Sequence, residues 1–214
     1  MKWNLERWSC LLEALAFGAF IGWYIWRLQT HVMWAWYVIP IWLVVSFVVR
    51  HDTTKTMGWR ADNLWRATKR AVWFFAPACL LICFPGLFLG MLHRVPEHLI
   101  EPKRLGSYMS FCLLQQVGLN SLVTNRLMRA FQKPLPAALV AGLIFGALHW
   151  PNPVLVPLTF LGGLAISYLF ATERNILPLT VGQALLGALV WWAFPMSWHH
   201  SMRVGPGYGE FRIK

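Results

Sequence analysis

Charged residues are scarce in this sequence, and acidic residues are the scarcest. Asp, Glu, Lys and Arg make up 13% of the 214 residues, with 8 acidic against 19 basic side chains, whereas about a quarter of a soluble domain is charged. Apolar residues reach 57%, and the mean hydropathy is +0.50. This balance excludes an ordinary soluble domain and indicates an integral membrane protein.

The net charge of +11 would suggest a nucleic-acid partner if the chain were soluble. The basic residues, however, lie mostly between long apolar runs. We therefore interpret them as determinants of membrane topology and as contacts for anionic lipid head groups. We expect membrane lipids as partners and no nucleic acid.

Metal-binding and disulfide patterns are also missing. The four cysteines form no CxxC pair and no Cys/His spacing, so we expect buried free thiols, no metal and no cofactor. They are Cys10, Cys79, Cys83 and Cys112. The sequence shows no strand pattern, and the lack of inverted repeats and of intramembrane charges argues against a transporter or channel.

Apolar runs that are long enough to span a bilayer recur along the whole chain. They predict an all-α integral membrane protein with about seven transmembrane helices, packed in one bundle that forms a single domain over residues 1–214. The predicted spans are residues 8–26, 31–49, 71–92, 105–131, 137–150, 154–171 and 176–194. The glycines of the polar tail, residues 195–214, predict either a structured loop or a segment on the head groups.

The connection between the second and third spans is basic and partly amphipathic. It predicts a helix on the membrane surface within residues 50–70. Lys and Arg in the loops favour an N-terminus on the inside, because this connection then shares the inner side with Arg126, Arg129 and Arg174. We expect the protein in a bacterial inner membrane.

Strongly polar side chains inside apolar spans are candidates for a functional site, because they are costly in hydrocarbon. The sequence places six of them there: Glu13, Gln115, Gln116, Asn120, His149 and Gln183. A structural role competes, since a buried Gln or Asn often only bonds a neighbouring helix. We expect Glu13 either to pair with a basic residue or to reach the membrane–water interface. We expect His149 to be a hydrogen-bonded residue at the end of a helix.

Two short motifs organise these polar residues. Gln115 and Gln116 are adjacent, and Asn120 follows four residues after Gln116, so the three amides form the pattern Gln-Gln-x-x-x-Asn. Phe145 and His149 match Phe-x-x-x-His on the next apolar run. The amides therefore occupy an ordered pattern, which makes a purely accidental burial a poor explanation.

Gln183 and, four residues later, Gly187 lie on a further apolar run. In order and spacing these patterns resemble the three motifs of the CPBP family, which includes type II CAAX prenyl endopeptidases and bacteriocin-processing (Abi) intramembrane proteases. The family's first motif is Glu-Glu-x-x-x-Arg, its second is Phe-x-x-x-His and its third is His-x-x-x-Asn or similar, so the resemblance implies that amides stand here in place of the charged residues and of one His. The resemblance covers about residues 60–194. It implies the helical core of such a protease and makes Gln115, Gln116, Asn120, Phe145, His149 and Gln183 degenerate counterparts of its catalytic positions.

The resemblance also implies a mechanism, in which a Glu activates a water molecule while His and Asn groups hold that water or stabilise the oxyanion. A neutral amide cannot accept the proton, and loss of a general base costs about 10²–10⁴-fold in rate. Replacement of both carboxylates and the Arg together leaves no charge buried and unpaired. His149 alone cannot hold zinc.

We therefore expect a pseudoprotease that acts as a membrane binding protein or scaffold, or as an accessory subunit of a complex with partner transmembrane proteins. A lipid or a prenyl chain is the expected ligand of its cavity, and the amides and His149 are expected to form one hydrogen-bonded cluster without a metal. The alternative is an active CAAX-type or bacteriocin-processing peptidase with an altered site. Glu13 would then have to lie beside His149, in direct contact or through one water.

Overall fold

A computed structural model describes residues 4–92 and 101–210, with only the backbone described at Pro102. Within these ranges the chain consists of helices and turns, without a strand. The helices are α1 (Leu5–Trp23), α2 (Val38–Val49), α3 (Leu64–Phe88), α4 (Pro102–Gln116), α5 (Asn125–Phe131), α6 (Pro134–Ala147), α7 (Leu155–Glu173), α8 (Leu177–Ala193), α9 (Met196–His199) and α10 (Pro206–Gly209). A π-helical turn, Tyr24–Leu28, extends α1, and a π segment, Val117–Thr124, joins α4 and α5 into one helical rod.

The helix ends carry residues that satisfy free backbone groups. Asn4 caps α1, because its Oδ1 accepts a hydrogen bond from the Arg7 N–H at 3.0 Å. Asn152 does the same for α7, where its Oδ1 accepts from the N–H groups of Val154 and Leu155 at 3.1 and 3.0 Å. Proline opens α4, α6 and α8, at positions where its missing N–H has no partner to lose.

Small residues let α6 and α7 pack backbone against backbone. A Cβ at Gly142 would lie 2.8 Å from the Leu164 nitrogen and from the Phe160 carbonyl oxygen, and a Cβ at Gly146 would lie 2.9 Å from the Phe160 Cβ. Gly142 and Gly146 form a Gly-x-x-x-Gly pattern, which allows membrane helices to approach closely. The second motif lies at the end of α6, one of these two helices.

The rod formed by α4, the π segment and α5 runs through the main apolar core. Its Leu122 and Leu127 are completely buried and belong to the same cluster as Phe17 of α1 and Phe170 of α7. Polar residues on the inward faces of this rod are therefore held inside the bundle. This position is what brings the first motif into contact with other helices.

Contacts between helix ends gather the loops at two ends of the bundle. At one of them, here called the basic end, the Arg7 Nε donates to the Ala130 carbonyl at 2.7 Å. This end contains the starts of α1, α3 and α6 and the ends of α2, α5 and α7. The basic residues that the orientation prediction assigns to one side of the membrane therefore lie here. Which end faces the cytoplasm stays a prediction.

The C-terminal segment is folded against the opposite end. Asn152 Nδ2 donates to the carbonyls of His199 and Arg203 at 2.8 and 3.0 Å. The Gly205 N–H donates to the Trp150 carbonyl at 2.9 Å. Of the two predictions for the tail, the structured loop is the one observed up to residue 210.

Three helices are long and apolar enough to cross a membrane, namely Leu5–Leu28, Leu64–Phe88 and Leu155–Glu173. Three shorter apolar helices correspond to further predicted spans, namely Met33–Val49, Pro134–Ala147 and Leu177–Ala193. The all-helical membrane architecture is therefore confirmed, while the count of seven spans stays a prediction.

The prediction of a surface helix within residues 50–70 is wrong. Residues 50–63 form turns, and the rest of the stretch is the start of α3. Arg66 Nε and Arg70 Nη1 lie 2.8 and 2.5 Å from the carboxylate of Glu173 at the end of α7. The basic stretch therefore begins a helix of the bundle, because its arginines have a buried acidic partner there.

Candidate functional site

The helical rod changes its winding at the first motif. From Val117 to Thr124 it is a π-helix, which is wider than an α-helix. Thr124 Oγ1 donates to the Leu119 carbonyl, five residues earlier, at 2.9 Å, and residues 119–124 are all buried. Because π segments are frequent at functional sites, this part of the rod and its neighbours form the candidate site.

Four amides and one hydroxyl form a continuous hydrogen-bonded chain here, which we call the amide cluster. Gln116 Nε2 donates to Gln183 Oε1 at 2.5 Å, and Gln183 Nε2 donates to Gln115 Oε1 at 2.6 Å. Asn120 Nδ2 donates to Gln116 Oε1 at 2.5 Å. The single O–H of Thr124 lies between the Leu119 carbonyl and Asn120 Oδ1, which is 3.0 Å from Thr124 Oγ1, and is shared between them. The cluster thus links the rod to α8 and brings the first and third motifs together.

The amide cluster satisfies itself without an ionised group. Gln116, Asn120 and Thr124 are completely buried, and Gln115 and Gln183 are half-buried. None of the cluster's buried side-chain N or O atoms lacks a partner. Full pairing makes the burial of polar groups tolerable, and a carboxylate introduced into the cluster would find no cation within it.

His149 lies outside the amide cluster, which corrects the expectation that it joins the amides. Its Nδ1 donates to the Phe145 carbonyl at 2.7 Å, and its ring meets the Phe145 ring edge-on, with 4.7 Å between centroids. Among the described residues, no hydrogen bond joins it to the amides. His149 therefore lies just past the end of α6 and is hydrogen-bonded to a backbone carbonyl of that helix, as the helix-end interpretation predicts.

The third motif ends at Gly187, where Tyr108 of α4 occupies the neighbouring space. The Tyr108 hydroxyl fills the position that a Cβ at Gly187 would need. A side chain at position 187 would therefore displace this tyrosine. The sequence interpretation did not include Tyr108. Its spacing of seven residues, or two helical turns, from Gln115 is the signal that could have identified it.

Two carboxylates at the basic end, the partly buried Glu13 and the buried Asp52, are paired with arginines. Glu13 Oε2 lies 3.0 Å from Arg50 Nε and 3.2 Å from Arg126 Nε. Asp52 Oδ2 lies 2.7 Å from Arg126 Nη2. Glu13 thus has the basic partners that the sequence interpretation favours for it.

Glu13 does not reach His149. α1 runs beside α6, and Gly22 of α1 packs against Leu148, the residue before His149. Glu13 lies nine residues before Gly22, which is about 13 Å along the helix axis at 1.5 Å per residue. A general base has to be in contact with its target or one water away from it, so Glu13 is not placed to serve as a base beside His149.

Arg126 and Asp52 are two buried charged residues that the sequence interpretation missed. Both side chains are fully buried, whereas the interpretation counts Arg126, which lies within the predicted span 105–131, only among the basic residues that set the topology. The signal that could have placed it inside is the polar stripe of the rod. Asn120, Thr124 and Asn125 continue the stripe toward Arg126, and Asn125 Nδ2 donates to Asp52 Oδ1 at 3.1 Å.

The described part of the chain has, among its open cavities, two with volumes of about 510 and 550 Å³. One lies along α2 and the other between α7 and the C-terminal segment, and neither is lined by the amide cluster. No group of three or more His, Cys, Asp or Glu residues that could hold a metal occurs within residues 4–92 and 101–210. The amide cluster is thus packed polar interior rather than the wall of either cavity.

A family model described as "Type II CAAX prenyl endopeptidase Rce1-like" matches residues 105–189. The match runs from α4 to α8 and contains all three motifs, and it confirms the resemblance to the CPBP family over a shorter segment than residues 60–194. No curated protein and no solved structure matches the chain. The apolar helices and this match identify an integral membrane protein related to a family of membrane proteases.

Proposed function

We propose that this protein is a pseudoprotease, a degenerate homologue of the type II CAAX prenyl endopeptidases that acts in the membrane by binding rather than by cleavage. It serves as a scaffold or as an accessory subunit of a membrane complex. The observation that carries the proposal is the state of Gln116. This amide is fully buried and bonded at both ends, to Gln183 and to Asn120.

The chemistry of the amide argues against a catalytic role. By the resemblance, Gln115 and Gln116 stand where the proteases have carboxylates. An amide cannot take a proton from water at physiological pH, so the position lacks a general base. Asn120 stands in place of the Arg, so the cluster also lacks the charge that would need a carboxylate as partner. The amides at positions 115, 116 and 120 are all consistent with a site that has kept its side-chain packing and lost its charges.

The carboxylates that are paired with arginines do not favour an active peptidase. Glu13 and Asp52 are engaged by arginines at the basic end, and Glu173 is engaged by Arg66 and Arg70. Each of these carboxylates is occupied by its arginine partners and lies away from the amide cluster. The altered-mechanism alternative therefore has no carboxylate base beside the motif positions within the part of the chain that the structure describes.

The surface supports a binding role. Several tryptophan rings are exposed, among them Trp23, Trp34, Trp65 and Trp73. Exposed aromatic side chains serve both protein interfaces and lipid head-group contacts. We propose a transmembrane partner in a bacterial inner membrane, with a lipid or a prenyl chain as a further ligand class.

Purification from the native membrane in mild detergent, followed by native mass spectrometry, tests the binding role. We expect a complex heavier than the 24.6 kDa chain, with a transmembrane partner in a fixed ratio or with a tightly held lipid or prenyl chain. The same chain after stripping with harsh detergent is the control. A lone monomer without either ligand in mild detergent would contradict the proposal.

A further inference from the structure

A groove of about 510 Å³ follows the outer face of α2 beside α1. Ile41, Val45 and Val49 line it at four-residue spacing, and all three side chains are exposed. The groove extends from Val38 to Arg50, a distance of about 18 Å along the helix at 1.5 Å per residue. This length suits one leaflet of the hydrocarbon core, about 15 Å thick.

The polar groups of the groove gather at its basic end. Glu13, Ser46 and Arg50 line it there. The Glu13 carboxylate is already held, because Ser46 Oγ donates to it and Arg50 and Arg126 pair with it. Arg50 is partly exposed, and its contacts with Glu13 and with Ser9 Oγ, each at 3.0 Å, use Nε and Nη2 and leave Nη1.

Positive charge exceeds negative charge around this end of the groove. The connected side chains include four arginines and two carboxylates, namely Arg50, Arg126, Arg129, Arg174, Glu13 and Asp52. Arg126 is fully buried, and its Nη1 has no hydrogen-bond partner. Burial lowers the pKa of Arg174, and the neighbouring charge of Arg129 lowers it further.

We propose that this groove binds an anionic phospholipid, with the phosphate against Arg50 and an acyl chain along Ile41, Val45 and Val49. A guanidinium matches the geometry of a phosphate and binds it through charge-assisted hydrogen bonds. An anion at this place also reduces the cost of the excess buried positive charge. The inference does not depend on the state of the amide cluster.

The shape and charge of the groove select among phosphate-bearing ligands. A free phosphate would use only the basic end and would leave the apolar wall of α2 uncovered. A zwitterionic phospholipid would bring an ammonium group into a region that already has an excess of positive charge. An anionic phospholipid uses both the wall and the charge, so it is the occupant that fits.

Native mass spectrometry of the full chain with added lipid tests the site. We expect the chain to retain one phosphatidylglycerol under conditions that remove phosphatidylcholine. Arg50→Gln is expected to lower the occupancy of phosphatidylglycerol by about fivefold. The matched control is Arg104→Gln, which removes an exposed arginine beside Glu101 at the other end of the bundle and is expected to leave the occupancy unchanged.

A second pair of variants tests the groove without touching a charge. Val45→Trp fills the groove and is expected to abolish retention, whereas Leu81→Trp on the exposed face of α3 is expected to preserve it. This pair of variants still tests lipid binding in the groove if Arg50→Gln does not fold. Equal retention of both lipids, equal loss in Arg50→Gln and Arg104→Gln, or full retention in Val45→Trp would overturn the proposal. Displacement of the lipid by inorganic phosphate alone would overturn it in favour of a simple anion site.

Discussion

Gln116 of α4 donates a hydrogen bond from its Nε2 to the Oε1 of Gln183 on α8, at 2.5 Å. This bond joins the first and third motifs of a protease-like core through two neutral side chains. Asn120 completes the arrangement by donating to the Gln116 Oε1. The geometry keeps the motif positions together, with amides at the positions where the resemblance implies charged groups.

Replacement of Gln116 by Ala should destabilise the bundle. It leaves the Gln183 carbonyl oxygen and the Asn120 amide without a partner, and each unsatisfied buried group costs about 1–3 kcal/mol. We expect the thermal unfolding midpoint in mild detergent to fall by several degrees. Gln115→Ala is the control, since it removes one bond at the half-buried end of the cluster, and equal effects of the two variants would contradict this ranking.

Gln116→Glu should make stability depend on pH. A carboxylate in this neutral cluster is disfavoured when charged, so its pKa in the folded state should rise above the value in the unfolded chain. Below the unfolded-state pKa both states are protonated and the variant should resemble the wild type. As pH rises through that value and toward the folded-state pKa, the variant should lose stability.

The double variant Gln116→Glu with Asn120→Arg checks the reason for that loss. The two side chains lie four residues apart and already bond each other, so an added Arg can pair with the added Glu. We expect a favourable coupling of about 0.5–3 kcal/mol in a double-mutant cycle at neutral pH. Additive effects of the two single substitutions would show that the cluster does not behave as a paired site.

The helices and the contact between Gln116 and Asn120 could be predicted from the sequence because they depend on local patterns. Long apolar runs predict the helices, and a spacing of four residues places Gln116 and Asn120 on one face of a helix. The contact with Gln183, 67 residues away from Gln116, could be expected only through the family resemblance. The burial of Arg126 could not be predicted in this way, because its partners Glu13 and Asp52 are more than 70 residues away in the chain. Helix packing decides such contacts, and a lysine or arginine near an apolar run usually lies in a loop.

Arg126→Ala should be among the most damaging substitutions at the basic end. It leaves Glu13 and Asp52 with fewer cationic partners in the interior, and removal of one member of a buried pair costs about 3–5 kcal/mol. Thermal unfolding in mild detergent measures the effect. Arg104→Ala removes an exposed arginine and should change stability by less than about 0.5 kcal/mol, and a similar loss in both variants would contradict the assignment.

Two glycines of the α6–α7 pair should respond in opposite ways to alanine. Gly142→Ala places a methyl group 2.8 Å from backbone atoms of α7, which cannot move without separating the helices, so a loss of about 1–3 kcal/mol is expected. Gly162→Ala meets no atom within 4 Å, so it should be neutral or stabilise by up to about 1 kcal/mol through helix propensity. Unchanged stability of Gly142→Ala would contradict the close approach of the α6 and α7 backbones.

A peptidase assay tests the loss of catalysis most directly. The purified chain in liposomes is incubated with a prenylated peptide that ends in a CAAX sequence and with a bacteriocin-type leader peptide, and product is followed by mass spectrometry. Without a general base, the wild type should release no more product than Gln116→Ala or His149→Ala. Cleavage by the wild type that disappears in either variant would contradict the proposal and show an active intramembrane peptidase.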